Sequence, residues 1–163
     1  MSRAVLSIGA NLGDRLAHLR SVVTALRPVA VSSVYETAPW GGVEQDDYLN
    51  AVVVVDDAGT DADGWLRMAR ELEAAAGRVR EVRWGARTLD VDVVDVDGTV
   101  SADPELTLPH PRAHERAFVL VPWAEVDPDA VLAGRGRVAD LAAAATAADP
   151  GAVRRRDDLE LRR

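Results

Sequence analysis

The sequence predicts an α+β domain whose elements follow the order β-α-β-β-α-β, and three observations carry that prediction. Apolar residues recur at helical spacing in two stretches, 12–26 and 65–76. Apolar runs of strand length, three of them rich in valine, stand at 4–9, 29–37, 48–56 and 89–96. Turn-forming or capping residues separate each run from the next.

Taken in order, "AVLSIG" (4–9) is a strand that ends in the turn "GANLGD". Leu12, Leu16, Leu19, Val22, Val23 and Leu26 then form a helical stripe, with Asp14 near its start and Pro28 just past its end. "VAVSSVYET" (29–37) and "YLNAVVVVD" (48–56) are the next two strands, joined by the loop "APWGGVEQDD". Asp61 or Asp63 caps the second helix, Trp65, Met68, Leu72 and Ala75 or Ala76 form its stripe, and Gly77 ends it. An arginine-rich loop, 77–88, leads to the strand at 89–96, after which "DVDG" opens a hairpin. A short helix is expected at about 115–125, amid prolines 109, 111, 122 and 128, and another over "VADLAAAATAADP". The tail from about 150, ending "RRRDDLELRR", reads as frayed or exposed. No repeat, linker or boundary divides residues 1–163, so one domain is expected. Two helices would cover one face of a four-stranded antiparallel sheet, a ferredoxin-like pattern with C-terminal additions. The other face would be free for a ligand.

Composition narrows the chemistry. The chain has no cysteine, which excludes disulfides, thiolate metal sites and thiol nucleophiles. It also has no lysine, which excludes a Walker A lysine and Schiff-base catalysis. A net charge of −8 argues against a general nucleic-acid partner, although a local arginine cluster lies between Arg78 and Arg87. The apolar runs are too short for a membrane span or secretory signal, so a cytoplasmic protein is expected.

The strand "LDVDVV" carries carboxylates where an unpaired buried charge would be costly. Strand side chains alternate, so Leu89, Val91 and Val93 share one face and Asp90 and Asp92 the other. Residues two apart lie about 6.5–7 Å from each other along a strand, a spacing that suits oxygen donors to Mg²⁺. Pattern alone leaves two readings: a metal pair, or the polar face of a half-exposed strand paired with arginine. The arginine loop just before the carboxylates tips the balance, because metal-bound polyphosphates are held by both residue types. Asp95 and Asp97 fall out of phase and read as solvated hairpin residues.

"RWGARTLDVDVV" resembles the signature of the 6-hydroxymethyl-7,8-dihydropterin pyrophosphokinase (HPPK) family of folate biosynthesis. "SIGANLGDR", "SSVYETAPWGGVEQDDYLNAVV" and "LTLPHPRAHERAFVLVPW" agree in order, so the resemblance covers about residues 4 to 128. It implies a ferredoxin-like fold and transfer of pyrophosphate from ATP·Mg²⁺ to the pterin hydroxymethyl group, releasing AMP. It further implies that Asp90 and Asp92 ligate two magnesium ions. Arg78 and Arg87 would lie near the phosphates, and Arg80 and Trp84 on a mobile loop that closes over the site. His110 and Arg116 match positions that contact ATP phosphates, and Thr107 one near the nucleoside. Tyr48 and Phe118 match the pair that sandwiches the pterin, with Thr37, Asn50 and the backbone around Trp40 at its polar edge.

The residues read by themselves agree with that assignment. A flat heteroaromatic wants ring faces on both sides and an amide or hydroxyl at its edge. The chain has four tryptophans, two tyrosines and a single phenylalanine, Phe118. Trp65 and Trp123 are expected in the core. Several positions depart from the family's usual residues: Glu105 for a basic residue found in some relatives, Ala10 for serine, Ala86 and Asp46 for prolines, and Pro111 for a tyrosine in some relatives.

The expected step is in-line attack of the pterin hydroxyl on the β-phosphorus, with positioning and charge neutralisation dominant. No general base is assigned. His110 and His114 are four apart, but Pro109 and Pro111 disfavour a regular helix through the first histidine and the H-E-x-x-H order is absent, so zinc is not expected. "GRGRVA" (134–139) imitates a dinucleotide loop with too little chain after it. The competing classes are a non-catalytic nucleotide-binding module and an ordinary kinase yielding ADP. A monomer acting on two small molecules, with no nucleic-acid or membrane partner, is the expectation.

Overall fold

The computed structural model describes residues 2–11, 13–38, 47–77 and 89–162. Strand β1 (Arg3–Ala10) is buried from Ala4 onward, as befits a central strand whose two faces are both covered. Helix α1 (Arg15–Leu26) starts where Asp14 accepts the Ala17 N–H at 3.1 Å. It stops at Arg27, which is left-handed (φ 48°) and returns its N–H to Val23 O.

The predicted strand 29–37 is two strands, β2 (Ala30–Val31) and β3 (Tyr35–Thr37). The break has a side-chain cause: Ser32 Oγ accepts the Val52 N–H at 2.9 Å, taking the place of a backbone carbonyl in the ladder. Strand β4 (Tyr48–Asp56) follows, then helix α2 (Ala62–Ala75). Of the two candidate caps, Asp61 takes the role, accepting the Gly64 N–H at 2.8 Å. Trp65 and Ala69 are buried from α2, and Trp65 Nε1 donates to Ser2 Oγ at 3.0 Å.

Strand β5 (Asp90–Val96) ends in a turn with Asp97 and Gly98 both at positive φ and Thr99 N–H bonded to Val96 O. The turn forms as expected, yet β6 (Ser101–Asp103) pairs with β7 (Leu106–Leu108) rather than with β5. A 3₁₀ turn (Ala113–Glu115) and helix α3 (Ala117–Val126) follow. The hairpin β8 (Val131–Leu132) and β9 (Gly136–Arg137) leads into helix α4 (Val138–Ala148), and strand β10 (Val153–Arg155) comes last.

Strands are ordered β10-β3-β4-β1-β5, with β2 also on β4, and all pairings are antiparallel. The sheet therefore has six strands, against the four expected. One extra strand comes from the break at Ser32 and the other from the tail. The tail is exposed over most of its side chains, as expected, but is paired with β3 at Val153–Arg155 rather than frayed there. Leu161 is buried in the core and Leu159 packs against it. Two apolar residues in a charged tail were the overlooked signal.

Helices also cover both faces, against the expectation of one. Ala4, Leu6, Ile8, Val53, Val55, Val91 and Val93 meet α1 and α2. On the reverse face, Val5, Val52, Val54 and Val94 pack with Leu120 and Trp123 of α3 and Val138 and Ala142 of α4. α3 is apolar on every side because it lies between sheet and α4. These helices take only the part of the reverse face that holds the start of β1. Farther along it stand Asp90 and Asp92.

Candidate active site

The register lines up three rows of side chains on the reverse face. Asp90 opposes Gly9, Gly9 opposes Asn50, and Asn50 opposes Tyr35. Asp92 opposes Ser7, which opposes Val52, and Tyr48 opposes Thr37. Directly opposed residues, and residues two apart, share a face. Asp90, Asp92, Asn50 and Tyr48 thus stand on one face, as the alternation in each strand predicts, and Thr37, on β3, joins them there as the neighbour of Tyr48.

Asn50 and Thr37 are both buried, and Asn50 Nδ2 donates to Thr37 Oγ1 at 2.7 Å. That bond turns Asn50 Oδ1 toward β1, where a Cβ on Gly9 would meet it at 2.8 Å. A side chain at Gly9 would force the Asn50 amide to shift. The row therefore holds a carboxylate and an amide separated by a residue without a side chain.

Arg116, at the start of α3, reaches back to this face. Its Nη1 lies 3.9 Å from Asp92 Oδ2, and its guanidinium stands 5.5 Å from the centroid of the Phe118 ring. Burial lowers the Arg116 pKa from its usual range, and the charges of Asp92 and Asp90 oppose that shift. His110 donates its backbone N–H to Val94 O at 2.8 Å, and its Nδ1 accepts the Arg112 N–H at 3.2 Å. Burial, then the charges of Arg116 and Arg112, push the imidazole down to about 4. It is neutral at pH 7. Phe118 is half-buried against the α3 side of the core. Thr107 lies in the β6–β7 hairpin with its hydroxyl donated to Asp103 O at 3.0 Å. Trp40, Arg78, Arg80, Trp84 and Arg87 lie outside the described residues.

Asp95 is a correction. Leu6 opposes Val93 but Val5 opposes Asp95, so Val94 is an extra residue in a β-bulge. The bulge returns Asp95 to the face of Asp90 and Asp92, where it is half-buried with Oδ1 lacking a hydrogen-bond partner among the described residues. Burial raises its carboxyl pKa, while its bond from the Gly98 N–H, at 3.3 Å, works against that. Asp97 does lie exposed in the turn, its Oδ1 accepting the Arg3 N–H at 2.9 Å.

Other supporting residues escaped the sequence reading. Glu73 Oε2 accepts the Val91 N–H at 3.0 Å, tying α2 to the outer edge of β5 between the two carboxylates. Its signal was an acid on the Trp65–Ala69 stripe. Glu125 of α3 accepts from Tyr35 Oη at 2.6 Å and Ser33 Oγ at 2.8 Å, anchoring the approach to Thr37. Burial, followed by the Glu125 bond, raises the Tyr35 pKa, so its phenol stays protonated.

Two half-exposed carboxylates supply hard oxygen donors, but too few for an all-protein cage; among the described residues no three metal-ligating side chains gather. Such a pair fits Mg²⁺ that takes its remaining ligands from phosphate and water.

Comparison with known proteins adds the following. The family model of 7,8-dihydro-6-hydroxymethylpterin-pyrophosphokinase (HPPK) matches residues 5–128. The chain is 56% identical over 149 residues to the 2-amino-4-hydroxy-6-hydroxymethyldihydropteridine pyrophosphokinase of Mycobacterium leprae, covering 84% of this chain and 78% of that one. The protein of the same name from Mycobacterium tuberculosis is 52% identical over 147 residues, at 83% and 78% coverage. That from Methylorubrum extorquens is 47% identical over 140 residues, at 82% and 88%. Among solved structures, an HPPK-DHPS in complex with substrates superposes with a TM-score of 0.70 at 10% identity, a likeness of fold. The match covers 90% of this chain and 44% of that longer one.

Proposed function

This chain belongs to the 7,8-dihydro-6-hydroxymethylpterin-pyrophosphokinase family, and we infer its function from that membership together with the face that carries Asp90 and Asp92. It is a pyrophosphokinase of folate biosynthesis, transferring pyrophosphate from ATP to 6-hydroxymethyl-7,8-dihydropterin and releasing AMP. In the transfer an oxygen–phosphorus bond forms between the pterin hydroxyl and the β-phosphorus, and the bridge to the α-phosphate breaks. We assign no side chain to the hydroxyl proton.

The observation that carries the site assignment is the row Asp90–Gly9–Asn50. An acidic pair for the metal-bound phosphates and a buried amide for a heterocycle lie two strands apart, with a gap at Gly9 between them. Magnesium, which is standard for the family, would neutralise charge on the triphosphate; Asp90 and Asp92 are the residues we propose to hold two ions. Asn50 and Thr37 would read the pterin edge by hydrogen bonds, and Tyr48 and Phe118 would present rings to its faces. Arg116 would hold a phosphate by charge, and neutral His110 by donating from Nε2. Trp40 and Trp84 are proposed for the pterin; Arg78, Arg80, Arg87 and Thr107 for ATP.

We read β1, α1, β3, β4, α2 and β5 as a ferredoxin-like unit, in a single-domain cytoplasmic monomer. No described helix is long and apolar enough to cross a membrane.

One assay tests the reaction. Incubated with ATP, Mg²⁺ and the reduced pterin, the protein should produce AMP and the pterin diphosphate in equal amounts. ADP would identify an ordinary kinase, and ATP binding without turnover a regulatory module.

A further inference from the structure

The family match ends at residue 128, yet the last strand of the sheet is β10, at Val153–Arg155. Its register on β3 pairs Val153 with Thr37, Arg154 with Glu36 and Arg155 with Tyr35. Thr37, which holds the Asn50 amide, thus has its outer backbone partner in the C-terminal tail. Without β10, β3 would be a three-residue edge strand joined only to β4.

A charge network reinforces this pairing from the face opposite Asn50. The Glu36 side chain is 16% exposed and its carboxylate accepts from three arginines: Arg154 Nη2 at 3.0 Å, Arg156 Nη1 at 3.1 Å and Arg15 Nη1 at 3.4 Å. The same Arg154 Nη2 donates to Asp47 Oδ2 at 2.7 Å, and Arg15 Nη1 donates to Asp47 O at 2.8 Å. Glu36 immediately precedes Thr37, and Asp47 immediately precedes Tyr48. One guanidinium from the tail therefore links the residues beside both members of the Thr37–Tyr48 pair. A single exposed ion pair contributes little, but a shared, mostly buried carboxylate between three cations is a network.

We propose that the C-terminal strand is a positioning element for the pterin, with Arg154 fixing how Thr37 and Tyr48 stand relative to each other. The inference rests on the assignment of Thr37, Tyr48 and Asn50 to the pterin. Asp90 and Asp92 lie on the far side of β1 and β4 from this clasp, so their handling of phosphate is independent of it. Arg154 acts through its neighbours and touches no substrate.

The test is steady-state kinetics on the full chain with each substrate varied in turn. Arg154→Ala should raise the pterin KM about 3- to 10-fold, with kcat and the ATP KM within about 2-fold of wild type. Asp47→Ala should do the same, and the double variant should be no worse than either single one. Arg154→Lys, which keeps the charge with fewer donors, should recover part of the loss. Sodium chloride should raise the wild-type pterin KM and leave that of Arg154→Ala nearly flat. An unchanged pterin KM in Arg154→Ala would overturn the proposal. So would a parallel loss in kcat and both KM values with a lowered Tm, which marks a merely structural role. A wild-type protein that makes no AMP would instead remove the functional reading, and this inference with it.

Discussion

Gly9 and Asn50 face each other across β1 and β4 so closely that a methyl group on the glycine would lie 2.8 Å from Asn50 Oδ1. The amide cannot swing away freely, because its Nδ2 is bonded to Thr37 Oγ1 at 2.7 Å. Gly9→Ala should therefore break that buried bond or tilt the amide from its plane. Disturbing one buried hydrogen bond costs about 1–3 kcal/mol, so the pterin KM should rise roughly tenfold while the ATP KM changes little. Kinetics with each substrate varied checks this; an unaltered pterin KM would detach the Asn50 amide from pterin recognition.

Glu73 offers a test of how β5 is held. Among the described residues β5 is an edge strand, so the Val91 N–H faces no neighbouring strand and uses Glu73 Oε2 at 3.0 Å instead. Glu73→Ala should lower stability by about 1–2 kcal/mol in urea denaturation. Glu73→Gln, which retains an acceptor oxygen, should recover most of that. If both variants match wild type, the Val91 N–H is satisfied by other means.

The bulge at Val94 gives a pH-dependent prediction. Burial raises the Asp95 carboxyl above its ordinary 3.8. Between that value and the raised one the folded state binds more protons than the unfolded state, so ionised Asp95 costs stability above its folded pKa. Asp95→Asn should raise Tm at pH 7 by roughly 1–3 °C, and the gain should shrink as pH falls toward 4. A gain that is constant with pH would have another origin. A lower Tm at pH 7 would contradict the burial argument.

That bulge also marks where the sequence stops being legible. A period of two assigns Asp90 and Asp92 correctly, because their strand is regular up to Val93. One inserted residue then reverses the assignment for Asp95, and nothing local in "DVVDV" announces it. The helix starts, near Asp14 and at Asp61 or Asp63, were readable because capping depends on a few adjacent residues, and the structure selects Asp14 and Asp61. The split at Ser32 was not, since it depends on a hydroxyl reaching Val52, 20 residues away. β10 was obscured for a similar reason: its partner lies more than a hundred residues earlier, and its arginines resemble a solvated tail until Glu36 and Asp47 are placed beside them. Long-range pairing, rather than local propensity, accounts for what was missed.

His110 should affect stability more than it affects the pH profile. Its folded pKa is about 4 against an ordinary 6.5, so the folded state holds the imidazole neutral while the unfolded state takes up a proton. His110's contribution to stability is therefore fully present above about pH 6.5 and is lost as pH falls through that window toward 4. Urea midpoints at pH 7 and pH 5 should fall more for wild type than for His110→Asn. Equal falls would place the imidazole in a more polar setting than its burial implies.

Asp92 stands half-exposed, 3.9 Å from Arg116, on the strand position opposite Ser7, while Asp90 stands opposite Gly9. If the two carboxylates hold the metal that neutralises the triphosphate, each acts on charge that changes during transfer rather than on the resting heterocycle. Asp92→Ala should then lower kcat by about 10²- to 10³-fold at saturating substrates, the size expected for losing one preorganised electrostatic partner. Pterin affinity, measured by equilibrium titration, should stay within about 3-fold, because none of the contacts proposed for the ring is made by Asp92. Arg116→Met should differ in kind, raising the ATP KM about tenfold with a smaller fall in kcat, since it removes phosphate charge and leaves the carboxylates in place. Turnover retained in Asp92→Ala would leave the polar-face reading of this strand as the better account.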